Sequence, residues 1–250
     1  MIDSITTAAI AAVFVFGGMV KGALGFGLPL VTIAVLPFLV PVEVALALNA
    51  VVLVGVNAVQ AAQFWQGPVI LRLAAPVVLG MAVATPIATA AAVGLPRPVV
   101  VAALGVFITV FALRGLLPLP RSAVPETPRP APWRGVVAGL AGGAVGALTS
   151  APGAVFVMHY TALQLERAPF MAVLGLVMGG VGVFLAASLA VAGVLTAERF
   201  VLGLGILPAA FLGFWLGGQI GRRFSIEGFR RAVLCLLLCL GAAMIWRALS

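Results

Sequence analysis

Residues 18–29 of this 250-residue chain read GMVKGALGFGLP, and they decide how the whole chain is interpreted. The stretch holds four glycines, one proline and the only lysine, Lys21, inside an apolar run over 5–40. One helix over 5–40 would be about 54 Å long, whereas the hydrocarbon core of a bilayer is about 30 Å thick. The glycines therefore predict two shorter helices, over 5–20 and 22–40, that meet at a break.

The composition is that of an integral membrane protein. Apolar residues make up 64% of the chain and charged residues 8%, whereas a soluble domain carries about 25% charged residues. This excludes a soluble globular enzyme, a disordered chain and a nucleic-acid-binding module. The net charge of +8 comes from thirteen arginines and one lysine between long apolar runs, which is how basic residues flank membrane spans.

The apolar segments form two groups of five. They cover residues 5–20, 22–40, 44–64, 69–92, 98–113, 135–149, 152–165, 168–194, 200–220 and 232–246. A charged, proline-rich stretch over 118–134 separates the groups and is typical of an extended linker. We therefore expect a first transmembrane repeat over 1–117, a linker over 118–134 and a second transmembrane repeat over 135–250. No metal-ligand cluster or disulfide framework is found in the sequence, and no cofactor is expected.

The two halves share a pattern of small residues. The glycines of GMVKGALG (18–25) match those of GLAGGAVG (139–146) at an offset of 121, and Pro29 matches Pro152 at an offset of 123. Matches in the same order indicate an internal duplication. Duplicated halves with broken helices in matching positions are typical of secondary transporters, which bind substrate near the bilayer midplane.

Arginine counting separates two topologies. If each glycine-broken pair crosses the membrane once, seven arginines lie on one side and six on the other. If each pair enters and returns as a hairpin, ten lie on one side and three on the other, as the positive-inside rule expects. The hairpin topology makes the linker cytoplasmic and places both termini in the periplasm.

The predicted fold is thus an all-α integral membrane protein of two inverted repeats. Each repeat is a glycine-broken helical hairpin followed by three transmembrane helices. Whether the hairpins cross fully or are re-entrant is left open.

Residues 18–31 resemble the first-repeat signature of the TauE/SafE sulfite exporter family, and the two-half organisation resembles that family as well. The second half departs from the family pattern where it reads ALTSAP (147–152). The resemblance implies a membrane protein that moves sulfur oxoanions or organosulfonates. The excess of arginine over lysine, with abundant alanine and glycine, indicates a bacterial protein and hence the inner membrane.

Lys21 is the strongest candidate for an anion-binding residue. A charged side chain in the middle of a membrane span normally faces a cavity or a partner. The predicted substrate site consists of Lys21, Gly22, Gly25, Gly27, Gly146, Thr149 and Ser150. Glycine allows positive φ and close backbone approach, and Thr149 and Ser150 precede Pro152 as helix N-caps do. The alternatives are a lysine that snorkels to the interface, or a neutral lysine that carries a proton.

A second group of polar residues is predicted to line a transport pathway. It comprises Asn49, Asn57, Gln60, His159 and Tyr160. The first three share a helix face with Gln63, although interhelical hydrogen bonding explains such a stripe equally well. His159 and Tyr160 interrupt an apolar run, where a bonded neutral imidazole is the alternative. Glu43 and Glu166 each open a helix, so we interpret both as N-terminal residues that favour the helix dipole.

The sequence therefore favours a secondary transporter over an enzyme. The substrate is expected to be a small sulfur-containing anion such as sulfite, thiosulfate or a sulfonate, with export as the expected direction. A membrane-embedded enzyme and a structural subunit are the alternatives. Membrane lipids are expected partners and nucleic acid is not, while coupling to a proton or another ion and oligomer formation are left open. No phosphate-binding loop for ATP is present in the sequence.

Overall fold

The computed structural model describes residues 3–117, 131–223 and 226–249, and these residues form helices and short connections without a strand. Ten α-helices follow one another: α1 (Ser4–Leu24), α2 (Leu28–Val35), α3 (Val42–Gln63), α4 (Val69–Val93), α5 (Arg97–Leu116), α6 (Pro132–Thr149), α7 (Gly153–Thr161), α8 (Arg167–Val191), α9 (Ala197–Arg223) and α10 (Ile226–Leu249). A 3₁₀ turn over Leu36–Phe38 extends α2. The all-helical prediction is confirmed for the described residues.

Each of the ten predicted apolar segments corresponds to one helix. Seven helices in the described part of the chain are long and apolar enough to cross a membrane, namely α1, α3, α4, α5, α8, α9 and α10. The short helices α2 and α7 follow the predicted breaks. Helix α6 begins at Pro132, which is three residues inside the predicted linker, because proline suits the first turn of a helix. Residues 118–130 of that linker lie outside the described residues.

The first break, residues 25–27, depends on two glycines in left-handed conformation. Gly25 has φ 85° and its amide donates to the Lys21 carbonyl, which ends α1. Gly27 has φ 107° and precedes α2, whose first turn contains Pro29. The predicted use of positive φ is confirmed at Gly25 and Gly27, since such angles strain any residue with a Cβ atom. It is wrong at Gly22, because α1 continues through Lys21 and Gly22 to Leu24 and the break lies after the predicted position.

The largest helix–helix contacts join the two halves of the chain. Helix α1 packs on α9 and α4 packs on α6. Gly18 faces Ala210 and Gly22 faces Gly218, so α1 and α9 run parallel. The same order appears in the other pair, where Gly139 faces Val77 and Gly143 faces Met81 (α6 and α4).

Two further pairs run antiparallel, α3 with α8 and α5 with α10. Gly175 faces Ala61, whereas Gly182 faces Leu53. When α1–α5 are exchanged with α6–α10, the α1–α9 pair maps onto the α6–α4 pair, and the other two pairs each map onto themselves. Inverted repeats require this arrangement, because equivalent helices must then run in opposite directions. The inverted insertion of the two halves into a membrane stays a prediction.

The second half is one helical turn longer before its break. Gly18 and Gly139 occupy equivalent packing positions, but α1 ends at Gly25 and α6 at Ser150. The distances along the chain are seven residues (25 − 18) and eleven residues (150 − 139), a difference of four. Since a turn holds 3.6 residues, Gly146 lies inside α6 and Ser150 takes the place of the first-half Gly25.

The buried apolar residues form two clusters, and the first break lies where they meet. One cluster draws on α1, α2, α3, α5 and α10, together with parts of α8 and α9. The other draws on α4, α7 and α8. Phe26 packs against both clusters. The first break is therefore held inside the protein by packing from both sides.

Candidate functional site

Lys21 lies in the last turn of α1 and is 1% exposed. Its Nζ donates a hydrogen bond of 2.7 Å to Asn57 Oδ1 of α3. The amide of Asn57 is held in turn, because its Nδ2 donates to the Leu53 carbonyl at 2.8 Å. This second bond fixes which end of the amide faces the lysine. The snorkelling alternative does not fit, since Lys21 points into the bundle rather than along its surface.

No carboxylate neutralises Lys21 within the described residues. The ion pair that they form joins Arg97 to Glu43 instead. An ammonium carries three donors, and among the described residues only Asn57 accepts from Lys21. A buried charge without an opposite charge is strongly unfavourable. Two of the three donors of a charged Lys21 thus have no acceptor among the described residues.

Gly22 serves helix packing. A Cβ atom at Gly22 would meet the carbonyl oxygen of Phe214 in α9. Gly18 faces the same helix one turn earlier. Close contact of α1 with α9 therefore requires glycine here, which positions Lys21 one residue earlier. The predicted contact of Gly22 with substrate stays a prediction.

The two helix breaks meet inside the bundle. A Cβ atom on Gly153, the first residue of α7, would lie 3.5 Å from the Phe26 ring. Helix α8 lines both breaks, with the Met171 sulfur beside Gly25 and the Met178 methyl beside Gly153. The structure thus brings together the two regions that the sequence singles out.

The second break, residues 150–152, holds a buried hydroxyl without a partner. Ser150 has φ 54°, and its amide donates to the Gly146 carbonyl at 2.7 Å. The residue is 0% exposed and its Oγ has no hydrogen-bond partner in the described part of the chain. A buried polar atom of this kind is rare in native proteins and calls for an explanation.

The predicted capping of α7 by Thr149 and Ser150 is wrong. The N-cap position is Pro152, and no side chain caps this helix end. Because α6 continues one turn further than α1, Ser150 ends α6 instead, while Thr149 Oγ1 donates to the Val145 carbonyl and accepts from the Ala151 amide. Gly146 is packed by Val181 and Pro152, so it supports the break and offers no open backbone.

The polar stripe on α3 is buried, with Asn49, Asn57 and Gln60 each 0% exposed. Gln60 Nε2 donates to the Met171 carbonyl at 2.9 Å, and its Oε1 has no partner. Asn49 Oδ1 accepts from Thr32 at 2.6 Å, and its Nδ2 has no partner. Interhelical hydrogen bonding thus accounts for part of the stripe, while one amide atom each of Asn49 and Gln60 stays unpaired among the described residues.

His159 and Tyr160 lie away from Lys21. The Tyr160 hydroxyl donates to the Leu73 carbonyl of α4 at 3.3 Å, and the side chain belongs to the apolar core. His159 lines a separate pocket of about 210 Å³ with Arg72 and Pro132. Their predicted part in a pathway stays a prediction, and Tyr160 has a structural contact that explains its burial.

Glu43 and Glu166 open α3 and α8 as expected, but only Glu43 has a charged partner among the described residues. Arg97 Nε lies 2.7 Å from Glu43 Oε1. Sequence reasoning missed this pair, because 54 residues separate its members. It also missed Thr32 and Met171. Thr32 follows Pro29 by three residues on the returning helix, which was a usable signal, whereas nothing in the sequence distinguishes Met171.

A large cavity connects the first break with two arginines. It has a volume of about 770 Å³ and lies among α1, α2, α5, α7 and α10. Phe26 and Gly27 border it at the break, Ala154 borders it from α7, and Arg114 and Arg230 belong to its lining. No group of metal-ligating residues occurs in the described part of the chain. Lys21 thus lies one helical turn before a break that borders a cavity lined by two arginines.

Comparison with known families gives one match. A family model described as "Sulfite exporter TauE/SafE" matches residues 10–244, a span that begins in α1, ends in α10 and includes both helix breaks. None of the curated proteins and none of the solved structures matches the chain significantly. Because the family match covers nearly the whole length, the chain belongs to the sulfite exporter TauE/SafE family.

Proposed function

We propose that this protein is a secondary transporter that exports small sulfur-containing anions, with sulfite, thiosulfate and short sulfonates as the substrate class. Family membership makes it a membrane transporter of sulfur anions. The proposal adds the place of binding, which is near the bilayer midplane between the two helix breaks. It also adds Lys21 as the residue that binds the anion.

The observation that carries the proposal is the buried Lys21 with a single neutral acceptor. Asn57 satisfies one of three donors, and no described carboxylate lies within ion-pair distance. A bound oxoanion would supply the missing charge and the missing acceptors at once. Charge-assisted hydrogen bonds are about twice as strong as neutral ones, so the same group that is unfavourable alone becomes the main source of affinity.

The second break supports the proposal because the start of α7 can also contact an anion. Helix α7 has no side-chain cap, and its Val155 and Phe156 amides donate to the Pro152 carbonyl, so the amides available to an acceptor are those of Gly153 and Ala154. The dipole of a helix is positive at this end, which favours an anion. The Ser150 hydroxyl is buried and unpartnered at the same break, so it adds a donor to the site. The contact of Phe26 with Gly153 places this helix start beside the first break.

Sulfite flux into proteoliposomes tests the proposal. Lys21→Met removes the charge while keeping an unbranched side chain of similar length, and we expect flux to fall about tenfold or more. The expected factor follows from the loss of a charge-assisted hydrogen bond worth about 1.5–3 kcal/mol, because each 1.4 kcal/mol of binding free energy changes the affinity tenfold. Lys21→Arg should keep part of the flux, because the charge survives and the compact head does not.

Size-exclusion chromatography and thermal unfolding in detergent control for misfolding. A folded Lys21→Met variant that transports sulfite, thiosulfate and a short sulfonate at the wild-type rate would contradict the proposed site. Neither the enzyme nor the structural subunit gains a supporting observation among the described residues.

A further inference from the structure

The Glu43–Arg97 ion pair joins the start of α3 to the start of α5. Its shortest distance is 2.7 Å, and the Arg97 side chain is 71% exposed while that of Glu43 is 32% exposed. Glu43 Oε2 is buried and has no hydrogen-bond partner among the described residues. One carboxylate oxygen is thus paired with a guanidinium that remains largely accessible.

Two cavities adjoin this pair: Arg97 lines both of them, and Glu43 lines the second. The first, which we call the Arg97 pocket, has a volume of about 440 Å³ and is lined by residues 37–42, Arg97 and Arg247 among others. The second, which we call the Thr89 channel, has a volume of only about 50 Å³. Its lining includes Glu43, Arg97, Thr89 and Ala147. The ion pair therefore stands between a wide cationic pocket and a narrow passage.

The Thr89 channel leads towards the second helix break. Ala147 is 1% exposed and Thr89 is 2% exposed, so both lie deeper in the bundle than the ion pair. Ala147 is followed directly by Leu148, which also lines the channel, and then by Thr149 and Ser150. The lining of the Thr89 channel thus comes within two residues of Ser150 along the chain.

We propose that Arg97 binds the transported anion in the Arg97 pocket. Glu43 then competes with the anion for the Arg97 guanidinium. The Glu43 carboxylate and a small oxoanion both offer negatively charged oxygen atoms as hydrogen-bond acceptors to the guanidinium N–H groups. When the anion takes the guanidinium, the carboxylate is released and the passage to Thr89 opens. The anion then leaves or enters through the Arg97 pocket.

The local charges favour this exchange. Arg97 uses Nε for Glu43, and the remaining donors of its fork stay available for a second acceptor. Arg247 lines the same pocket, donates to the Pro37 carbonyl at 3.1 Å and lies over the Phe38 ring. The Arg97 pocket is thus lined by two guanidinium groups, and the Glu43 carboxylate adjoins it through the ion pair with Arg97. Exposed ion pairs are weak, so an anion present at millimolar concentration can replace Glu43.

This inference rests on the proposed transport function, and thiol labelling tests it separately from flux. Cys235 and Cys239 are first replaced by alanine, and Ala147→Cys then places a thiol in the Thr89 channel. We expect Glu43→Gln to raise the labelling rate of this thiol by an impermeant reagent several-fold, in vesicles prepared in both orientations and without substrate. Glu166→Gln, at the equivalent start of α8, is the matched control and should leave the rate unchanged.

Flux measurements supply the second arm. Arg97→Gln should raise the half-saturating sulfite concentration several-fold while the maximal rate changes less, and Glu43→Gln should lower that concentration. Arg167→Gln is the arginine control, because Arg167 belongs to the lining of neither cavity. Unchanged labelling and unchanged half-saturation in both variants would overturn the inference. A Lys21→Met variant that still transports while Glu43→Gln opens the channel would instead overturn the proposed central site alone.

Discussion

At the scale of single residues, the bond between Lys21 and Asn57 joins the first hairpin to α3. It is 2.7 Å long and lies where neither side chain reaches solvent. Because the acceptor is a neutral amide, the bond holds the amino group in place without neutralising it. A carboxylate at position 57 would satisfy Lys21 permanently and compete with any anion. The pairing with an amide therefore suits a site that must bind and release.

Asn57→Ala should destabilise the protein in a way that substrate reverses. The substitution removes the acceptor and leaves a buried amino group unpaired, which costs about 1–3 kcal/mol. We expect a lower thermal midpoint in detergent, and a rise of that midpoint on adding sulfite that exceeds the rise in the wild type. The bound anion supplies the missing acceptor and stabilises the folded state by mass action.

The exposed Gln63 lies on the same helix and provides the control. Gln63→Ala should change stability by no more than about 0.5 kcal/mol. If Asn57→Ala unfolds at the wild-type temperature, the hydrogen bond to Lys21 contributes nothing and the description of the site is wrong.

At the scale of elements, the position of Lys21 depends on how closely α1 approaches α9. Gly18 and Gly22 face Ala210, Phe214 and Gly218 without any side chain between the helices. Small residues that allow such backbone contact are the usual basis of helix association in membranes. The packing of α1 on α9 therefore fixes the end of α1, and with it the amino group one turn before Gly25.

Gly22→Ala should lower both stability and transport. Its Cβ atom would meet the Phe214 carbonyl, so α1 must move away from α9 or the backbone must shift. Overpacking of this kind costs about 1–3 kcal/mol. We expect a lower thermal midpoint and a reduced maximal rate of sulfite flux, since the shift carries Lys21 with it.

Gly205→Ala in α9 is the matched control, because a Cβ atom there meets nothing within 4 Å. It should leave flux intact and stabilise the helix by about 0.5–1 kcal/mol, the usual difference between glycine and alanine in a helix. Equal behaviour of the two variants would show that the α1–α9 contact does not position the site.

At the scale of the whole molecule, contacts between the halves hold the bundle together. Helices α1 and α4 of the first half pack on α9 and α6 of the second. Helix α8 contributes to both breaks, and the large cavity at the first break and the Thr89 channel near the second approach the centre from different positions.

The predicted membrane topology can be tested by cysteine accessibility. In the background without native cysteines, a thiol in the turn at residue 94 should react with an impermeant reagent from the periplasmic side. A thiol at residue 121, in the linker, should react only from the cytoplasmic side, because ten of the thirteen arginines are then cytoplasmic. Labelling of residue 94 from the cytoplasm would contradict the hairpin topology and the inverted insertion.

The sequence by itself determined the features that depend on local chemistry. Long apolar segments required a membrane, and the ten helices follow them, because hydropathy acts along a single segment. The glycines predicted that a first break exists, since positive φ is a property of the residue itself, but the break lies at Gly25 and Gly27 and not at Lys21 and Gly22, which continue α1. Lys21 stood out as the only lysine inside an apolar run.

Only the tertiary structure decided which residues meet. Helix packing makes Asn57 the partner of Lys21, 36 residues away along the chain. It also makes Arg97 the partner of Glu43, at a separation of 54 residues. The failed prediction of a cap on α7 has the same origin, because one extra turn of α6 moves Ser150 from the start of α7 to the end of α6. The register between two helices is set by the residues that touch across their interface, such as a glycine of one helix against the backbone of the other. No pattern within a single segment shows which residues of another segment it will touch.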